Sequence, residues 1–370
     1  GKAQGLFLRA QASENFARGF TETRRIASSK VSQEAPSDVL PVTQAGDLQA
    51  ASYRLITLSY ITMKVASTIA RAYFGAEKAA IQYGQSLGKI QGLLNGTFAQ
   101  SQVEIQGLSV GMQKIAIDLG VSMGEVAQAG YDIVSAFPES ANKLAMIETA
   151  ARLARSGVAD VSTAMIGLIA TSKAYGDTSV GMLNRLADIS ATTVRLGVIE
   201  VPDLSKAMEK LAPAGQALGI AVEELYALEG SLSHVSGTPA NAATQIRTLL
   251  YTLLSPGEEL RKLYETSFGA GTSGSEFVRE AGSVVNAVKL IKAEMDSTGK
   301  TWNDFIGPDR AQQAAMSLLS IEGDFNKMVG ANKNNLGEVN DQLDKAMNGI
   351  AYWATESQRA TTKVELALKD

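Results

Sequence analysis

Four times in this chain an amphipathic stretch runs into a glycine, a β-branched or small residue follows, and a fresh helix-start signal comes next. The four places are Leu119-Gly120-Val121-Ser122, Ser156-Gly157-Val158-Ala159-Asp160, Leu196-Gly197-Val198-Ile199-Glu200 and Leu218-Gly219-Ile220-Ala221. Glycine ends a helix because it enters the left-handed region without a Cβ clash, and the apolar residue after it packs back onto the helix just closed. The phrase predicts left-handed caps at Gly120, Gly157, Gly197 and Gly219, and a compact array of helix–Gly–helix hairpins around them. Ser122 and Glu125 have capping-box spacing. Ser255-Pro256-Gly257-Glu258 predicts another helix start, with Ser255 as cap, Pro256 first and Glu258 third. The uneven spacing of the four phrases argues against a regular solenoid.

The flanks follow a different period. Leu48, Leu55, Thr62, Ile69, Ala76, Tyr83 and Ile90 recur every seven residues, with Ala51, Leu58, Val65, Ala72, Ala79, Ser86 and Leu93 between them. That is an a/d seam on a long helix, expected to break near Gly75 or Gly84. Leu336, Leu343, Ile350, Ser357 and Val364 form a second seam with Val339, Ala346, Trp353, Ala360 and Ala367. An interior proline removes a helix hydrogen bond and clashes with the preceding turn. Segments 42–137 (up to Pro138) and 309–370 lack proline and are free to hold long helices, whereas the middle must use shorter ones. The expected organisation is all-α: an N-terminal arm over 1–46, a long amphipathic helix over 47–98 and a compact helical core over 99–262. A Gly/Ser loop with short helices follows over 263–332, and a heptad helix over 333–370 ends the chain.

Composition excludes much else. There is no cysteine, so thiol chemistry, disulfide frameworks and zinc fingers are absent, and a single histidine, His234, rules out a multi-histidine metal centre. A net charge of −4 gives no general attraction to nucleic acid. Aromatics are only 6% of residues against 45% hydrophobic overall, and 53 alanines stand beside 34 glycines, so small apolar residues carry the hydrophobicity and suit closely packed helices better than a β-sandwich. No apolar run reaches the roughly 18 residues of a membrane span.

Two short strings invite a catalytic reading. Gly107-Leu108-Ser109-Val110-Gly111 matches the nucleophile elbow, with His234 downstream and Asp160 or Asp203 as candidate orienters, but that elbow needs a strand before it and helical periods lie on both sides. Gly269-Ala270-Gly271-Thr272-Ser273-Gly274 matches the dinucleotide fingerprint, but a helical segment precedes it and a loop is the expectation. No catalytic, cofactor-binding or metal-ligating residue is therefore assigned.

Residues 105–260 carry a resemblance. The ordered fragments Ile117–Ala127, Ala151–Asp160, Ser172–Gly176, Leu218–Leu225 and Thr238–Arg247 resemble the core of phage tail tape measure proteins of the TP901 type, and Phe305–Ala311 is similar to that family's later aromatic-Gly element. The resemblance implies a structural, non-catalytic role without cofactors: a protein of the tail tube lumen or tip that sets tail length and leaves ahead of the DNA. It also implies residence in the virion tail, host cytoplasm during assembly, and contact with tail tube protein, tail tip or baseplate hub proteins and tail assembly chaperones. Transient contact with DNA and the host membrane belongs to the same expectation. A fully helical chain of this length would span at most about 555 Å, and the interior prolines and glycines argue for compaction. With Gly1 in place of an initiator methionine, the expectation is a portion of a longer tape measure rather than its rod. The seams suggest a trimeric or hexameric homo-oligomer through Leu48, Leu55, Leu58, Val65 and Ile69 on one helix and Leu336, Leu343, Ile350 and Trp353 on the other. The alternatives are a membrane-active ejection protein built on amphipathic helices and a non-viral coiled-coil scaffold.

Overall fold

The computed structural model describes residues 80–157, 159–348 and 352–367. Among them all regular structure is helical, in seventeen helices without a strand, so the all-α expectation holds. The helices are α1 (80–91), α2 (Phe98–Leu119), α3 (Met123–Ala136), α4 (Lys143–Ser156), α5 (Val161–Ala174), α6 (Val180–Leu196), α7 (Val201–Ala217), α8 (Val222–Leu232) and α9 (Pro239–Leu254). They continue as α10 (Glu258–Phe268), α11 (Gly274–Ala281), α12 (Val284–Thr298), α13 (Trp302–Phe305), α14 (Asp309–Ser320), α15 (Glu322–Lys333), α16 (Glu338–Asn348) and α17 (Tyr352–Ala367). All of the described residues belong to one compact unit.

Seven of the starts follow simple capping chemistry. Thr97, Ser122, Asp160, Ser179, Thr238, Ser273 and Ser283 each receive an amide of the first turn on a side-chain oxygen, satisfying a donor the helix cannot pair internally. Pro202 and Pro239 occupy first-turn positions, where a missing N–H costs nothing.

The centre of the unit is α5 against α7; α9 also packs on α7, and α6, α8 and α15 pack on one another. Gly167 makes the first contact close: a Cβ there would lie 2.7 Å from the Ser205 Cα, so the α5 and α7 backbones all but touch. Met165, Leu168, Met208, Leu211, Leu225 and Leu250 are fully buried around this contact.

Several sequence expectations need correction. Gly120 and Gly219 are left-handed, with φ 62° and 73°, but Gly157 and Gly197 are not, with φ −106° and −94°. These two are glycines for lack of room: a Cβ at Gly157 would sit 2.3 Å from Val201 Cγ2, and one at Gly197 2.7 Å from the Thr193 carbonyl and 3.3 Å from Gly230 Cα. Ser255 does not start a helix. It closes α9, Gly257 takes the N-terminal position of α10, and Glu258 is its first residue rather than its third. The α9 helix runs through Leu254, so Pro256, which cannot continue it, falls in the junction instead of the first turn. Pro213 lies inside α7 without ending it.

The amphipathic stretch from Phe277 to Met295 is two helices, because Gly282 turns left-handed at φ 83°. The described helix α1 runs through Gly84 without a break and ends at residue 91, and Gly96 at φ 105° precedes the fresh start at Phe98, so the expected element does not reach residue 98. Leu48, Leu55, Leu58, Val65 and Ile69 lie outside the described residues, as does Ile350. The C-terminal heptad segment comprises two helices, α16 and α17.

Candidate functional site

The enzymatic strings dissolve once placed. Gly107–Gly111 lies in the middle of α2, where Ser109 is buried and accepts a hydrogen bond from Gln113 Nε2 at 3.1 Å, with Tyr83 Oη at 3.1 Å from the same hydroxyl. No strained turn exposes that serine. His234 is exposed in the turn after α8. Gly269–Ser273 is a loop that ends in the Ser273/Glu276 capping box. Among the described residues, no cluster of His, Asp or Glu is arranged to hold a metal ion. No single described helix is long and apolar enough to cross a membrane.

The predicted caps divide. Ser122 receives the Glu125 amide at 3.2 Å. The Glu125 carboxyl is pushed upward mainly by burial, which the Ser122 bond partly offsets. Glu224, the equivalent acid after Gly219, reaches across the fold and accepts the Val284 amide at 2.7 Å, fixing the start of α12 on α8.

The densest polar structure joins α6 to residues 332–342. Along α6 every residue from Leu186 to Thr193 is buried, so its polar side chains must be paired. The Asp188 carboxylate accepts from the amides of Gly337 and Val339, each at 3.0 Å. Asn335 donates to Thr192 Oγ1 at 3.1 Å, and Asn332 donates to Thr193 Oγ1 at 3.2 Å and to the Glu223 carbonyl at 3.1 Å. Gln342 donates to the Ala191 carbonyl at 2.9 Å, and Arg195 pairs with Glu338 at 2.6 Å. Beside this seam Arg152 joins Glu148 at 2.7 Å and Asn340 at 2.8 Å. These groups border a cleft of about 400 Å³ lined also by Thr149, Asn184 and Val180. The cleft offers polar groups already bonded to one another, an arrangement that fixes register between elements.

A second buried polar group stands apart. Glu229 on α8 is fully enclosed; Ser233 Oγ lies 3.4 Å from its Oε1, and Oε2 has no partner. Burial pushes its carboxyl up to about 8; the Ser233 hydroxyl and Lys210 offset part of that rise, and the Asp203 carboxylate adds to it. At neutral pH this is a neutral acid held in the core.

The oligomer candidates that fall on described residues behave differently from one another. Leu343 is buried within the unit on α16, which packs on α4 and α6, whereas Leu336 is 92% exposed. Trp353 falls in α17.

Sequence comparison settles the class of protein. A family profile described as phage-related minor tail protein matches residues 106–367, from the middle of α2 to the end of α17 and well over half of the chain. The chain belongs to the phage-related minor tail protein family. No curated protein and no solved structure matches it. The family places the chain in the phage tail in a structural role, and the matched span contains all the helices of the central packing together with the polar seam. That seam was not legible beforehand: Asp188 and Val339 are 151 residues apart. The available signal was a helix, Leu186-Ala187-Asp188-Ile189-Ser190-Ala191-Thr192-Thr193, with small polar residues on every face.

Proposed function

We propose that this minor tail protein is the globular portion of a tape measure protein of the TP901 type, acting in the tail tube lumen or at the tail tip. The observation that carries the reading is the order of the resembling fragments, all six of which fall inside the matched span 106–367 and follow one another as they do in that family. Their placement supports it: Ile117–Ala127 forms the left-handed turn at Gly120 and the Ser122 cap, and Leu218–Leu225 forms the equivalent turn at Gly219. In this role the body is passive. Its partners are the tail tube protein, tip or baseplate hub proteins and the assembly chaperones, and it associates as a trimer or hexamer to match the tail axis.

An amber mutation in the gene, followed by electron microscopy of the lysate, tests the proposal. A tape measure is required for tubes of uniform length, so tails should be missing or heterogeneous. Tubes of wild-type length in the mutant would refute it and indicate a peripheral tip component.

A further inference from the structure

The helix α16 takes the acceptor for its first-turn amide from another element of the fold. Where Thr97, Ser122, Asp160 or Ser179 receives an amide of its own first turn, the first-turn amide of Val339 and the adjacent amide of Gly337 go to Asp188 on α6, 151 and 149 residues away. Asn335, three residues before the helix, donates its side-chain amide to Thr192 on α6. An eleven-residue helix is marginal in water on its own, and its nucleation depends on satisfying those first amides. The remaining attachments are also largely polar: Arg195 to Glu338, Gln342 to the Ala191 carbonyl and Arg152 to Asn340, with Val339 and Leu343 as the buried apolar anchors. By contrast α5 and α7 meet through close apolar packing around Gly167.

From this we propose that residues 334–348 form a latch that is helical only while docked on α6, with Asp188 as its cap in trans, and that opens as a unit while the α5–α7 centre stays folded. Docking and helix formation are then one event, because removal from Asp188 uncaps the helix at the moment it leaves. The pivot is the short segment 334–337, where Gly337 holds φ 85° and Leu336 has no covering neighbour. Opening bares the α6 face from Asp188 to Thr192 and the adjoining cleft beside Thr149 and Asn184.

Hydrogen exchange followed by mass spectrometry on the full chain tests the latch. In the wild type, amides of 338–347 should exchange through an opening less costly than that of α5 and α7. Asp188→Asn replaces a two-oxygen acceptor by one oxygen and a donor, and should speed exchange across 338–347 by at least about tenfold, with α5 and α7 unchanged. Gln342→Ala, on the latch itself, should give a smaller change in the same peptides, and it decides the matter together with the wild type if Asp188→Asn does not fold. Equal opening of 338–347 and the α5–α7 centre in the wild type, or unchanged exchange of 338–347 in a folded Asp188→Asn protein, would overturn the proposal.

Discussion

Replacing Glu229 by Gln should remove a large pH dependence from the stability of this protein. The folded carboxyl titrates at about 8 against an ordinary value of 4.5. The native state therefore holds the proton more tightly than the unfolded chain does. Below pH 4.5 both states are protonated and the group costs nothing further. Between 4.5 and 8 the unfolded chain ionises and the native core does not, so stability falls as pH rises, by about 1.4 kcal/mol per unit. Across the whole window that amounts to about 5 kcal/mol, after which the loss levels off. Glutamine has the same shape and no proton to lose. The Oε2 position has no partner in the core, so the neutral amide meets a cost of about 1–3 kcal/mol at every pH. Urea unfolding followed by circular dichroism, at pH values from 5 to 9, gives both curves. The difference between wild type and variant should favour wild type at pH 5 and reverse or vanish by pH 8. All other titrating groups are common to the two proteins and cancel. Parallel curves would refute the argument, and would mean that the Glu229 carboxyl is solvated or paired in a way the fold does not display.

Other substitutions separate the remaining arguments. Gly167→Ala drives a methyl against the Ser205 backbone and should destabilise by about 1–3 kcal/mol through forced separation of α5 and α7, read as a lower melting temperature. Leu343→Ala should cost about 2–4 kcal/mol because the side chain is buried inside the unit. Leu336→Gln should stay within about 0.5 kcal/mol because its side chain is exposed. Equal effects at both positions, measured by denaturant unfolding, would restore the idea of one continuous seam. Ser109→Ala should cost about 1 kcal/mol from lost bonds to Gln113 and Tyr83, with virion infectivity unchanged in plaque assays.

How much could be read from the residues differs by type of signal. Signals confined to a few neighbouring positions were legible: the Ser122 cap and the left-handed turns at Gly120 and Gly219 depend on groups within one helical turn. Glycine was misread where its reason is distant. Gly157 and Gly197 have ordinary negative φ, and their missing Cβ makes room for Val201 and Gly230, which no local pattern announces. At Ser255-Pro256-Gly257-Glu258 the helix starts two residues later than the pattern predicts, with Gly257 at the cap, because α9 continues through the buried Leu253 and takes Ser255 as its own end. The heptad at the end of the chain is real as a spacing, yet its residues divide between a buried Leu343 and an exposed Leu336 because the chain between them changes direction at Gly337. Least visible was the seam on α6, since a hydrogen bond spanning 151 residues leaves no periodic trace.

Compactness bears directly on the proposed role. The matched span, drawn into one straight helix, would reach about 390 Å at 1.5 Å per residue, whereas a folded body of that size has a radius of gyration near 18 Å. A length standard must convert residues into contour, and a folded body converts almost none. In a tape measure this unit would therefore contribute a fixed end-piece, with length recorded by chain outside it. The distribution of forces supports that division. The α5–α7–α9 centre is held by apolar burial that persists irrespective of charge, while the α16 segment adds to its two buried apolar anchors, Val339 and Leu343, a carboxylate, amides and an ion pair that compete with water once parted. A body with a durable centre and a detachable margin is suited to keeping its shape during assembly and to yielding from the C-terminal side when the tail opens.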